Sequence, residues 1–233
     1  MQTKKENNKW FEKEIIQNAY DKIYQTEHIF DSDKLDDEEK NKAVSLIDDF
    51  LNLNILDVGC GDGKLFKFIP HNNKIYGLDI SPVAIKTCQK KYPEVTTIVG
   101  IAETLPYSDN YFDVVFCMGS LEHFMDINKA LEEIGRVLKN NGSFIALLPA
   151  NNYFLKQAIY RYFFPNFHPV LFLKRLFNRL MKFKKIAVQP KDKGYSQTEI
   201  FSLFKNSGFN IETIIKFPEQ EFSFEVILKL NKL

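Results

Sequence analysis

Apolar and polar positions along the chain switch between two periods, and the switches mark out an α/β protein. Residues 8–27 carry Trp10, Phe11, Ile15, Ile16, Ala19, Ile23 and Tyr24 at roughly helical spacing, which predicts an amphipathic helix. Ile55, Leu56 and Val58 then form a short apolar run that stops at alternate glycines, Gly59, Gly61 and Gly63. That pattern predicts a strand buried on both faces that breaks directly into a turn. Further strands are predicted to end at Asp79 and to span 113–118 and 143–149, with residues 133–142 as a helix and the turn into the last of these. Residues 195–207 read as a helix capped by Ser196, with Glu199 three residues on, and stopped by Gly208. Residues 209–217 and 222–230 alternate or run apolar as two closing strands. Strands alternating with helices and then a hairpin predict a parallel sheet with one antiparallel strand.

The glycine turn narrows the chemistry. Without Cβ atoms the backbone can turn sharply and approach a ligand closely. A pyrophosphate-binding turn spaces its glycines as G-x-G-x-x-G, which needs glycine at position 64, where Lys64 stands. Asp57, at the end of the strand, repels a pyrophosphate but suits a ligand that carries ammonium and sulfonium groups. A second acid, Asp79, follows the turn by about 20 residues, the distance at which a carboxylate accepts ribose hydroxyls.

Asp57-Val58-Gly59-Cys60-Gly61-Asp62-Gly63 resembles motif I, D/E-x-G-x-G-x-G, of the class I methyltransferases dependent on S-adenosyl-L-methionine (SAM), and the resemblance extends to about residue 150. It implies a Rossmann-like, seven-stranded, mostly parallel sheet with helices on both faces. SAM would lie at the carboxyl ends of strands one, two and four, with S-adenosylhomocysteine as product. On this resemblance Asp57, Gly59, Cys60 and Gly61 hold the cofactor, Asp79 takes the ribose hydroxyls and Ile80 lies along the adenine. The segment Gly100-Ile101-Ala102-Glu103-Thr104-Leu105-Pro106 is similar to the family's G-D-A-E-x-L-P stretch. Ile101 replaces the usual Asp, which leaves Ala102 and Glu103 as the adenine-side contacts. Cys117, in strand four, completes the expected set. His123 follows that strand beside Glu122 and is the candidate general base, with a purely packing role as the alternative.

Composition adds limits. The chain has 233 residues, 45% of them hydrophobic, and a net charge of +1, as expected of a globular α/β protein with one full core. Cys60, Cys88 and Cys117 are odd in number and lack C-x-x-C spacing, so they read as reduced thiols of a cytoplasmic protein. The first residues lack an apolar signal region, and no stretch approaches the ~18 apolar residues of a membrane span. The acidic stretch 31–39 reads as a linker and helix start, and no metal is expected there. Four regions follow: a helical cap and linker at 1–50, the SAM-binding core at 51–150, an insertion at 151–193, and the closing helix and hairpin at 194–233.

The insertion segregates charge. It holds ten Lys or Arg residues against one acid, Asp192, a net +9 in a chain of net +1. Over 170–185, Leu173, Leu176, Phe177, Leu180 and Met181 form an apolar stripe opposite Lys174, Arg175, Arg179 and Lys182. Three readings stand: a helix packed on the protein or on a second copy, a wall of the acceptor pocket, or a peripheral contact with an anionic membrane. Nothing in the sequence fixes the oligomeric state. The strand-four exit, Cys117-Met118-Gly119-Ser120, lacks the Asn/Asp-Pro-Pro-Tyr of enzymes that methylate DNA amino groups. The expected acceptor is therefore an O or N atom of a small molecule, saccharide precursor or lipid-linked compound. The alternatives are a SAM-binding module that acts with a partner protein, and an RNA methyltransferase.

Overall fold

The structure, a computed structural model, describes residues 2–25, 34–149, 197–217 and 225–232. The basic insertion, its predicted helix over 170–185 and the cap residue Ser196 lie outside the described residues. Seven strands form a single sheet: β1 (Asn54–Val58), β2 (Lys74–Asp79), β3 (Thr96–Val99), β4 (Phe112–Met118), β5 (Leu138–Pro149), β6 (Phe209–Phe217) and β7 (Glu225–Lys232). Their order is β3-β2-β1-β4-β5-β7-β6. Strands β1 to β5 pair in parallel, and β7 runs antiparallel to both β5 and β6. The single antiparallel strand expected from the alternation is thus β7.

Alternation along the strands divides the core between two faces. Leu56, Val58, Val115, Cys117, Phe144 and Ala146 face one layer, where Ala130, Leu131 and Ile134 of α4 (Ile127–Val137) and Phe204 of α5 (Gln197–Asn206) cover them. Ile55, Val114, Phe116, Ile145 and Leu147 face the other, covered by Ala43 and Val44 of α2 (Lys34–Val44) and by Ile85 and Cys88 of α3 (Pro82–Lys91). Both helices that follow the central strands have side-chain caps. Ser81 accepts the Ala84 N–H at 3.1 Å at the start of α3, with Pro82 as first residue, and Asp126 accepts the Lys129 N–H at 3.2 Å at the start of α4.

Two boundaries differ from the sequence pattern. Helix α1 runs Gln2–Gln25, beginning upstream of its apolar stripe. The turn expected before strand five is absent: α4 ends at Val137, and β5 begins at once with Leu138 opposite Phe112. The register then slips between Phe112 and Val114, and Ser143 pairs with Val114. Gly142 permits this irregularity, since a Cβ there would lie 2.9 Å from the Asp113 carbonyl oxygen. Among the described residues no helix is long and apolar enough to cross a membrane.

Candidate active site

Strand order reverses between β1 and β4, and a sheet of this kind opens a crevice at that switch point beyond the carboxyl ends of its strands. A cavity of about 300 Å³ lies there. The turn after β1 forms its floor, held in place because the Gly59 and Cys60 N–H groups both donate to the Leu78 carbonyl, at 2.7 and 3.1 Å. Gly59 and Gly61 have φ of 80° and 53°, a left-handed conformation that favours glycine. Either Cβ would also collide: at Gly59 with the Ser120 hydroxyl at 2.4 Å, at Gly61 with the Tyr24 hydroxyl at 2.3 Å.

Asp79 is the hub of the site. Its Oδ2 accepts the Gly61 N–H at 2.9 Å and its Oδ1 the Ser81 N–H at 2.8 Å, so the carboxylate lashes the turn to the start of α3. Each oxygen keeps a further lone pair for a ligand hydroxyl. Burial pushes Asp79 up to about 6 against the pull of those two N–H donors. Asp57 is still more enclosed. It is 3% exposed, its Oδ1 has no hydrogen-bond partner among the described residues, and burial raises it to about 7, opposed by the charge of Lys40 and reinforced by Asp79. A buried carboxylate oxygen without a donor is costly until a cation or donor reaches it.

The segment after Gly100 is pinned from α4. Glu133 accepts the Leu105 N–H at 2.8 Å, and Arg136, which bonds Glu133, donates to the carbonyls of Leu105 at 2.9 Å and Tyr107 at 2.7 Å. Glu103, 5% exposed, accepts the Asp126 N–H at 3.0 Å. Ile80, Ile101, Ala102 and Glu103 all line the cavity.

Of the residues expected from sequence, Gly59, Cys60, Gly61, Asp79, Ile80, Ala102, Glu103 and His123 line the cavity together. Asp57 and Cys117 do not line it. Strand alternation turns the Cys117 thiol into the α4 and α5 layer, fully buried, while Met118, Gly119 and Ser120 reach the cavity. Burial raises the Cys117 thiol, and the neighbouring Cys88 thiol followed by burial raises Cys60, so neither is a nucleophile near neutral pH. His123 is 9% exposed, with Nε2 3.7 Å from the Glu122 Oε1 and its ring edge-on to Tyr20 at 6.2 Å.

Ile16 and Tyr24 belong to the stripe expected of the N-terminal cap, whereas Tyr20, Glu39 and Lys40 were not singled out by the sequence. Ile16, Tyr20 and Tyr24 come from one face of α1, and Glu39 and Lys40 from α2. Helix α1 is moored by Asp21, which accepts from the Ser81 hydroxyl, the cap of α3. The apolar stripe of α1 was visible in sequence; what it covers depends on a contact sixty residues away.

Sheet order, glycine turn and acid after β2 define an α/β protein built to hold an adenosyl ligand at its switch point. A family described as "Methyltransferase domain" matches residues 56–146. An uncharacterized protein of Methanocaldococcus jannaschii is 30% identical over 221 residues, covering 91% of this chain and 82% of that one. The demethylmenaquinone methyltransferase of Chlorobaculum tepidum is 31% identical over 161 residues, 66% of this chain and 64% of the relative. Among solved structures, the PH0226 protein of Pyrococcus horikoshii shares the fold at a TM-score of 0.61 and 21% identity, covering 88% of this chain and 94% of that one. Residues 56–146 are a methyltransferase domain of the class I, Rossmann-like, SAM-dependent kind. The chain spans 33% to 64% of the length of the curated methyltransferases compared with it.

Proposed function

We propose that the protein transfers the methyl group of SAM to an O or N atom of a small-molecule or lipid-linked acceptor with an apolar body. One observation carries the reading: a single cavity joins the cofactor-type floor of Gly59, Gly61 and Asp79 to a second wall made of Ile16, Met118, Phe124, Met125, Leu147 and His123. The second wall is mostly apolar, with one imidazole able to take a proton. The name of the quinone-methylating relative fits an acceptor of that character.

The orphaned Asp57 oxygen and the glycine floor fit SAM, whose ammonium and sulfonium groups answer a buried carboxylate. Bound there, SAM supplies a methyl group activated by its sulfonium. The residues supply alignment and dryness. Asp79 offers its remaining lone pairs to the ribose hydroxyls, while the loop pinned by Glu133 and Arg136 sets the adenine's position. Tyr20 and Tyr24 of α1 close the cavity toward solvent, and His123 accepts the proton of a hydroxyl or amine acceptor, oriented by Glu122.

The test is transfer of label from methyl-labelled SAM into a cell extract separated into lipid, polar small-molecule, RNA and protein fractions, with Asp79→Ala as control. Label in the lipid or small-molecule fraction that disappears with the control supports the proposal. Label confined to RNA or protein would reject it, and SAM binding without transfer would favour a module that works with a partner protein.

A further inference from the structure

We infer that Asp21 is a positioning residue of the cofactor site: its bond to Ser81 couples the seating of helix α1 over the cavity to the engagement of Asp79 by the ligand. The inference rests on SAM as the ligand of the cavity. It adds a residue that does not line the cavity and lies far from the glycine motif in sequence.

The contacts close into a ring. Gly61 donates its N–H to the Asp79 Oδ2 at 2.9 Å, and the Asp79 Oδ1 accepts the Ser81 N–H at 2.8 Å. The Ser81 hydroxyl donates its one proton to the Asp21 Oδ1 and accepts the Ala84 N–H at 3.1 Å. Tyr24, three residues beyond Asp21 on the same helix, stands with its hydroxyl over Gly61, where the ring began. Helix α1 thus meets the floor of the site twice, at Asp21 and at Tyr24.

Asp21 suits the place it holds. The Val83 N–H faces its Oδ1 from 3.5 Å, so the carboxylate sits at the amino end of α3, where the polarity of a helix favours negative charge. Ser81, fully buried, leaves its hydroxyl proton to this one acceptor. Burial is the main cause of the raised Asp79, and the charge of Asp21 adds to it, which shows how near the two acids lie.

The ring gives the bond its task. Ile16, Tyr20 and Tyr24 recur every four residues and present one face of α1 to the cavity. Methyl transfer needs an aligned donor and a site without water, and that face supplies part of the enclosure. A ligand whose hydroxyls engage Asp79 braces the ring at the member bonded to Ser81. Seating of α1 and retention of the ligand then reinforce one another, and linkage makes the effect equal in both directions.

The experiment follows release of S-adenosylhomocysteine by stopped flow, and amide exchange with and without that ligand, in the full chain carrying Asp21→Ala or Asp21→Asn. Asp21→Ala removes the acceptor while raising helix propensity, so a loosened α1 would reflect the lost bond and not a weaker helix. Asp21→Asn keeps an oxygen that can accept from Ser81. Loss of one charge-assisted bond predicts release about tenfold faster for Asp21→Ala, with association within about threefold, and Asp21→Asn should regain most of the difference. Ligand should slow exchange in α1 of the unsubstituted protein, and that protection should vanish in Asp21→Ala while exchange in β4 stays the same. Unchanged release would overturn the inference, as would exchange rising in β4 as much as in α1, the mark of a merely structural residue. If Asp21→Ala fails to fold, Asp21→Leu with the same readouts decides. Failure of the unsubstituted protein to bind S-adenosylhomocysteine would instead remove the cofactor reading, and this inference with it.

Discussion

The Ser120 hydroxyl donates to the Gly59 carbonyl at 3.2 Å, and the space it occupies is the space a side chain at position 59 would need. The exit of β4 is thereby locked against the turn after β1, the two strands that flank the switch point. Gly59→Ala meets both a 2.4 Å collision and a φ of 80°. The backbone cost alone is ~1–2 kcal/mol. We expect S-adenosylhomocysteine affinity to fall about tenfold or more and Tm to drop by several degrees. Adding Ser120→Gly should relieve the collision and leave the backbone strain, so calorimetry and thermal melts of the double variant should show partial recovery only.

Titration of the buried acids gives a second prediction. Burial holds Asp57 at about 7 and Asp79 at about 6 in the folded, ligand-free protein, whereas both titrate near ~3.9 when unfolded. Between those values the folded state holds more protons than the unfolded one. Its stability therefore falls as pH rises from about 4 to about 7, and the fall ends once both carboxylates are ionised. A cationic ligand favours the ionised acids, so SAM affinity should rise over the same range and level off above about 7. Calorimetry at pH 6.5 in buffers of different ionisation enthalpy should detect proton release on binding. Asp57→Asn should flatten much of the profile, and a binding curve that keeps its full pH dependence would show that Asp57 does not couple to the ligand.

Arg136 joins α4 to the loop that precedes β4 through three hydrogen bonds, to Asp109 and the carbonyls of Leu105 and Tyr107, and makes two more to Glu133 of its own helix. Charge-assisted bonds of this kind are each worth roughly 1.5–3 kcal/mol when well formed, and less where solvent reaches them. Arg136→Met should lower Tm and weaken S-adenosylhomocysteine severalfold. Arg136→Lys should recover little, because a single ammonium cannot reproduce the planar fork. Thermal melts with and without ligand separate loss of fold from loss of loop order.

His123 gives the prediction most specific to chemistry. His123→Gln retains size and hydrogen bonding but cannot act as a base. Turnover with a hydroxyl or amine acceptor should fall about 10²-fold or more while S-adenosylhomocysteine binding stays within about twofold. Near-normal turnover would assign the imidazole to packing against Tyr20.

Much of the site could be read from the chain because it is local. The turn, the acid after β2 and the loop from Gly100 each sit where a strand ends, and a run of apolar residues followed by glycine or acid marks that place. Residues contributed by strand faces were less legible. Cys117 and Met118 are neighbours in sequence, yet only Met118 reaches the cavity, since the parity of the strand decides which side chain turns which way. The bulge in β4–β5 pairing also escaped the pattern, because Lys139 to Gly142 are polar enough to read as a turn.

What the sequence by itself determined was the mostly parallel sheet with its single antiparallel strand and the glycine turn with its acids: each depends on short-range periodicity or on a conformation that only a few residue types adopt. The tertiary structure alone decided how the cavity is closed. Tyr24 stands over Gly61, Asp21 takes the hydroxyl of Ser81, and Lys40 comes to share a wall with Gly59, in each case across a wide gap in the chain. Packing of α1 and α2 on the sheet creates these neighbours, and a helical stripe encodes that a helix will pack without encoding against what.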